Sequence, residues 1–88
     1  MKKYKLNKGF IVQKTGNQTV IFDADKSLLY SLNETATFIF KKIKQNKQTG
    51  EISQLFVNKY RISRAKADND IALFIKDLIK KKIVLLYN

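Results

Sequence analysis

The spacing of apolar residues changes once along this chain of 88 residues, at Asn33. Before it the period is that of a strand. FIVQKT (10–15), TVIFD (19–23) and SLLYSL (27–32) are rich in β-branched and aromatic residues, which suits a pleated, half-buried surface. Between them, TGNQ (15–18) and ADK (24–26) carry turn chemistry: Gly16 and Asn17 adopt positive φ at low cost. Three short strands with tight turns predict an antiparallel meander. On the third strand, Leu28, Tyr30 and Leu32 share one face, while Ser27, Leu29 and Ser31 share the other.

After Asn33 the period becomes helical. Asn33 is placed to cap, its side chain accepting from an early helix N–H. Glu34 follows in the first turn, where the dipole favours an anion. Ala36, Ile39, Phe40 and Ile43 recur on one helix face, and Thr35 is grouped with Ala36, Ile39 and Phe40 as core or near-core. QNKQTG (45–50) reads as a loop. Ile52, Leu55, Phe56 and Tyr60 give a second helix starting near Thr49 or Gly50. Ser63 can cap a third over about 64–81, with Ala67, Ile71, Phe74, Ile75 and Leu78 inward. The tail IVLLY (83–87) is apolar and is expected to pack back on the domain. MKKYKLNK (1–8) reads as a basic, frayed lead-in. With no repeat and no linker, residues 1–88 read as one domain. The fold class is α+β and winged-helix-like: a three-stranded antiparallel sheet followed by three helices.

Composition removes most chemistry. There is no Cys and no His, so disulfides, thiol nucleophiles, imidazole bases and nearly all zinc sites are excluded. The seven acidic residues are scattered. No Gly-rich loop cradles a phosphate, and no nucleophile stands beside a base. Neither an enzyme, a metal site nor a cofactor is expected. No apolar run suits a signal peptide or a membrane span, so a cytoplasmic location is expected.

The net charge of +11 invites a nucleic-acid reading, and helices two and three can pose as a helix-turn-helix. The alternative function is therefore a winged-helix DNA-binding protein. Two features oppose it. The basic residues are almost all Lys, with only Arg61 and Arg64 as Arg, the residue suited to bidentate reading of guanine and phosphate. From Arg64 to Asp77, three basic residues (Arg64, Lys66, Lys76) face three acids (Asp68, Asp70, Asp77). A neutral helix suits a phosphate-lined groove poorly. Lys41, Lys42 and Lys44 instead crowd the end of helix one, where cations are favoured.

YSLNETATFIF (30–40) resembles the L-N-x-T-A-x-x-I-W core of the PqqD family. Leu32, Asn33, Thr35, Ala36 and Ile39 match, and Phe40 stands where the family has Trp. DIALFIKDLIKKKIV (70–84) is similar to the family's D-V-x-x-F-L-x-x-L-x-x-x-G-L-L ending. Asp70, Ile71, Phe74, Ile75, Leu78, Ile83 and Val84 match, and Lys82 replaces the Gly. The resemblance covers roughly residues 9 to 86. It implies a recognition domain from pathways that make ribosomally synthesised, modified peptides. Such a domain holds the leader of a precursor peptide and presents it to a modifying enzyme: a radical SAM protein, a cyclase or a leader peptidase. The resemblance further implies that the leader adds as a strand to the open edge of strand three, in a groove against helix three.

The residues supply candidates for that role. SLLYSL holds no charge, so its edge is a pairing liability unless something covers it. Either the lead-in or the IVLLY tail covers it, or it is open for a peptide. On the second reading the peptide pairs with Ser27, Leu28, Leu29, Tyr30 and Ser31 and rests against Lys66, Asp70, Leu73, Phe74 and Asp77. Leu73 falls off its helix face, as do Phe38 and Val57; Phe38 is a candidate contact for an enzyme or a second copy. Asp70 is either a local dipole partner or a contact for the leader, and the Lys excess suits acidic leaders. An open edge allows a monomer or a homodimer.

Overall fold

The computed structural model of the protein describes residues 3–87. Met1 and Lys2 of the predicted lead-in, and Asn88, lie outside the described residues. The element order is β1 (Lys3–Leu6), β2 (Phe10–Thr15), β3 (Gln18–Asp23), β4 (Leu28–Leu32), α1 (Glu34–Lys44), α2 (Thr49–Tyr60), α3 (Arg64–Lys80) and β5 (Val84–Tyr87).

The predicted meander is β2-β3-β4, antiparallel throughout. Its first turn uses Gly16 at φ 60°, with Asn17 on the ordinary side of the map; a Gly at the first central position is the signature of a type II′ hairpin. The second turn is held by Asp23. Its carboxylate is buried, and Oδ1 accepts the N–H groups of Asp25 and Lys26, both at 3.1 Å. That closes an Asx turn and satisfies a charge the core would otherwise reject. Ser27 belongs to this turn rather than to a strand, at φ 53°, so the predicted third strand begins one residue late, at Leu28.

Asn33 caps α1 as expected. Its Oδ1 accepts the Ala36 N–H at 2.9 Å and the Thr35 hydroxyl at 3.0 Å. Thr35 is therefore exposed, not core; its hydroxyl is part of the cap. The inward threonine is Thr37, which donates to the Leu32 carbonyl at 3.3 Å and ties α1 back to the end of β4. Ser63 caps α3 through the Lys66 N–H at 3.1 Å.

The three helices cover one face of the sheet. Ile21 is fully buried among Ile39, Phe40 and Ile43 of α1, Ile52 and Phe56 of α2, and the inner stripe of α3. Phe38 and Val57 also pack against this core. The Phe38 ring lies 6.0 Å from Phe56 and 5.8 Å edge-on from Tyr60, so it is half-buried in an aromatic cluster.

Two features stand outside the sequence reading. Lys3–Leu6 is a strand, not a frayed lead-in, and it pairs antiparallel with β5 from Lys3↔Tyr87 to Leu6↔Val84. The chain also leaves α3 through a Schellman motif, even though Lys82 stands where Gly would be easiest. Lys82 sits at φ 61°, its N–H bonds the Ile79 carbonyl, and the Ile83 N–H bonds the Leu78 carbonyl, each at 3.0 Å. Asn7 braces the turn, its N–H donating to the Ile83 carbonyl and its Nδ2 to the Lys82 carbonyl, both at 2.8 Å. Ile83 and Val84 are thereby driven into the core.

Candidate functional site

The strand that carries four of the predicted residues, Leu28, Leu29, Tyr30 and Ser31, has an open side. β4 bonds β3 on one edge, and no described strand pairs with the other. β1 and β5, which stood as possible covers, pair with each other in a separate ribbon.

The register tells which backbone groups face that edge. Antiparallel pairs alternate between residues that exchange bonds and residues that turn their N–H and C=O away. At the start of the β2–β3 hairpin the Ala24 N–H donates to the Gly9 carbonyl at 3.3 Å, and at its end a two-residue turn closes Thr15↔Gln18. Both set Gly9, Ile11, Gln13 and Thr15 bonding toward β3. Thr19, Ile21 and Asp23 then bond the other way, to Leu32, Tyr30 and Leu28. The groups directed at the free edge are therefore those of Leu29 and Ser31. The Leu29 side chain is 67% exposed, and Leu28 is exposed as well. Tyr30 and Leu32 turn inward and pack against the core.

On α3 the predicted residues form one flank. Asp70, Phe74, Asp77 and Lys81 recur at helical spacing. Phe74 packs on the core, and Leu73 beside it is 59% exposed. The C-terminal end of this flank meets β4: the Lys81 ammonium lies 4.9 Å from the centre of the Tyr30 ring and 2.7 Å from the Asp77 carboxylate. Tyr30, Phe74, Asp77 and Lys81 thus line the corner between strand and helix. Lys66 is at the far end of the helix, 15 residues and about 22 Å from Lys81 along the axis. It is paired with Asp70 at 3.3 Å. Ser27 lies in the turn that enters β4. Lys81 was missed in the sequence, although its position four residues after Asp77 was the available signal.

The charges of α3 are largely spent within the helix. Arg64 meets Asp68 at 2.9 Å, alongside the Lys66–Asp70 and Asp77–Lys81 pairs. Asp68 also accepts a hydrogen bond from the buried Ser53 hydroxyl; that bond first, and Arg64 second, hold its carboxyl below the usual range. Such a helix offers little to phosphates. The unspent cations gather elsewhere, with Lys42 and Lys59 over the Phe38 ring at 5.2 and 5.6 Å.

A cavity of about 620 Å³ lies on the opposite flank of α3, between the start of α2 and the β1–β5 ribbon, lined by Tyr4, Arg64, Ala72, Ile79 and Leu86 among others. It contains none of the predicted peptide contacts. Its polar rim is occupied: the Arg64 guanidinium donates to the Gly50 carbonyl at 3.3 Å and to Gln54 at 3.4 Å. A strand edge needs no cavity, so its size does not weigh against β4. Among the described residues no group of His, Cys, Asp and Glu can hold a metal ion, and no helix is long and apolar enough to cross a membrane.

The family model of Coenzyme PQQ synthesis protein D (PqqD) matches residues 18–84. Two solved structures share the fold. One is a lasso peptide synthetase B1 complexed with the leader peptide, at TM-score 0.88 and 23% identity, covering 94% of this chain and 98% of that one. The other is TbiB1 in complex with the TbiA(beta) leader peptide, at TM-score 0.85 and 16% identity, covering 91% and 93%. No curated protein matches the sequence.

Proposed function

The chain belongs to the PqqD family, and from that membership we propose that it is a non-catalytic adaptor, which binds the leader segment of a ribosomally made precursor peptide and presents it to a modifying enzyme. The leader adds as a strand beside β4. Its backbone bonds the N–H and C=O groups of Leu29 and Ser31, and its inward side chains meet Tyr30, Phe74, Asp77 and Leu73. Backbone bonds supply affinity irrespective of sequence, and side-chain pockets supply selection. The observation that carries this reading is the uncovered, uncharged edge of β4 beside α3. The two solved structures of the same fold, both leader-peptide complexes, support it.

The adaptor role explains the junction at Asn33. The cap at Asn33 and the Thr37–Leu32 bond fix β4 to α1, so the docking edge stays rigid while chemistry takes place on the partner. We assign that chemistry to a radical SAM enzyme, a cyclase or a leader peptidase, acting in the cytoplasm. The domain spans residues 1–88.

Calorimetric titration with the leader of a precursor from the same gene neighbourhood tests the reading. Micromolar or tighter binding is expected, with the peptide mass unchanged until the enzyme is added. Binding of one DNA sequence at least a thousandfold above random DNA at physiological salt, the mark of true readers, would overturn it.

A further inference from the structure

The helices cover only the inner face of the sheet. On the outer face the register aligns side chains into rows across the strands. Ile11, Phe22 and Leu29 form one row; Gln13, Val20 and Ser31 form the next. None of these side chains is charged, in a chain where 28% of residues are. A single exposed apolar residue is ordinary, but here Ile11 at 60% and Leu29 at 67% exposure flank the half-buried Phe22 in one register line. That line ends at the open edge, on the residue whose backbone groups face it. A strand docked there sets a side chain on the same face directly beside Leu29, within contact distance.

We infer that this outer row reads the docked leader. Leu29, backed by Phe22, selects an apolar leader residue that points away from α3. Ser31, backed by Val20, accepts a small polar residue two positions along. The leader class is thus one that alternates: inward residues for the corner at Tyr30 and Phe74, and an outward apolar residue that extends the row to four members. A charged residue beside Leu29 finds no counter-charge on this face. This rests on the leader-docking reading above and adds a second, outward site of selection to it.

The test uses a displayed library of random twelve-residue peptides, selected separately on the wild-type protein, Leu29→Thr and Ile11→Thr. Both substituted positions are exposed strand positions, and Thr suits a strand. Enriched peptides are assigned to the edge by the amide shifts they cause at positions 29 and 31. Wild-type binders should share an apolar and a small polar residue two positions apart. Replacing that apolar residue by Ser should lower affinity for the wild type about two- to fivefold, the worth of a cross-strand pair. It should cost nothing on Leu29→Thr, and should cost the wild-type amount on Ile11→Thr, which does not touch the added strand. An equal loss on Leu29→Thr overturns the inference and leaves edge docking intact. A selection in which no peptide moves the amides at 29 and 31 overturns both. Concentration-dependent self-association abolished by Leu29→Thr assigns the row to a second copy and overturns the inference as well.

Discussion

The Lys81 ammonium lies 4.9 Å from the centre of the Tyr30 ring, joining the C-cap of α3 to the inner face of β4. The same ammonium is paired with Asp77. One cation therefore braces both walls of the corner where the leader is proposed to lie.

Lys81→Gln removes the charge and keeps most of the stem. An exposed cation–π contact is worth about 0.5–1 kcal/mol and an exposed ion pair about as much or less. A loss near 1 kcal/mol in urea denaturation is expected, with weaker leader binding. Unchanged stability and unchanged affinity together would mean that the corner is not braced this way.

Leu73 is a test of the helical wall. Its side chain is 59% exposed and lies outside the buried stripe of α3, so Leu73→Glu should fold normally. Leader affinity should fall by about 1–3 kcal/mol, the range for losing an apolar anchor of this size. A variant that unfolds, or one that binds as well as the wild type, contradicts the assignment of this flank.

Lys82 carries a cost that can be removed. A non-Gly residue in the left-handed region loses about 1–2 kcal/mol, and part of this returns as the greater unfolded freedom of Gly. Lys82→Gly should raise stability by about 0.5–1 kcal/mol, moving Tm up by about 2–8 °C. A lower Tm would show that the side chain contributes more than the strain it causes.

Asp68 gives a pH prediction. Its carboxyl is held low by the Ser53 hydroxyl and by Arg64. A folded-state value below the unfolded one, about 3.9, means a stabilising contribution that is complete above that value and lost as pH falls through the folded value. Carboxyl-carbon NMR should find Asp68 titrating below an ordinary aspartate, and Ser53→Ala should move it back up. An unchanged midpoint in Ser53→Ala would remove the hydroxyl as the cause.

Local chemistry made most of the fold legible. Gly16 and Asn17, the caps Asn33 and Ser63, and the 3.6-residue stripes each act within a few residues of where they stand. What was not legible is non-local. β1 pairs with β5 across nearly the whole chain, and a short basic segment such as KYKL carries no mark of so distant a partner. Phe38 lies off the stripe of its own helix, and the rings of Phe56 and Tyr60, brought in by α2, half-bury it. Ser27 continues the strand pattern in composition, yet the Asp23 turn takes it to positive φ. For the site, the uncharged third strand and the stray Leu73 were visible. The separation of β4 into Leu29 and Ser31, which face the edge, and Leu28, Tyr30 and Leu32, which face β3, required the register.

That separation sets a distinct exchange rate for each β4 amide. Hydrogen exchange of the β4 amides, measured with and without the leader peptide, tests it directly. The Leu28, Tyr30 and Leu32 amides already bond β3 and should be slow in the free protein. Leu29 and Ser31 should be fast when free and become protected on binding, because new ladder bonds form there. Tight leader binding that leaves Leu29 and Ser31 as fast as before, with protection appearing elsewhere, would contradict strand addition at β4.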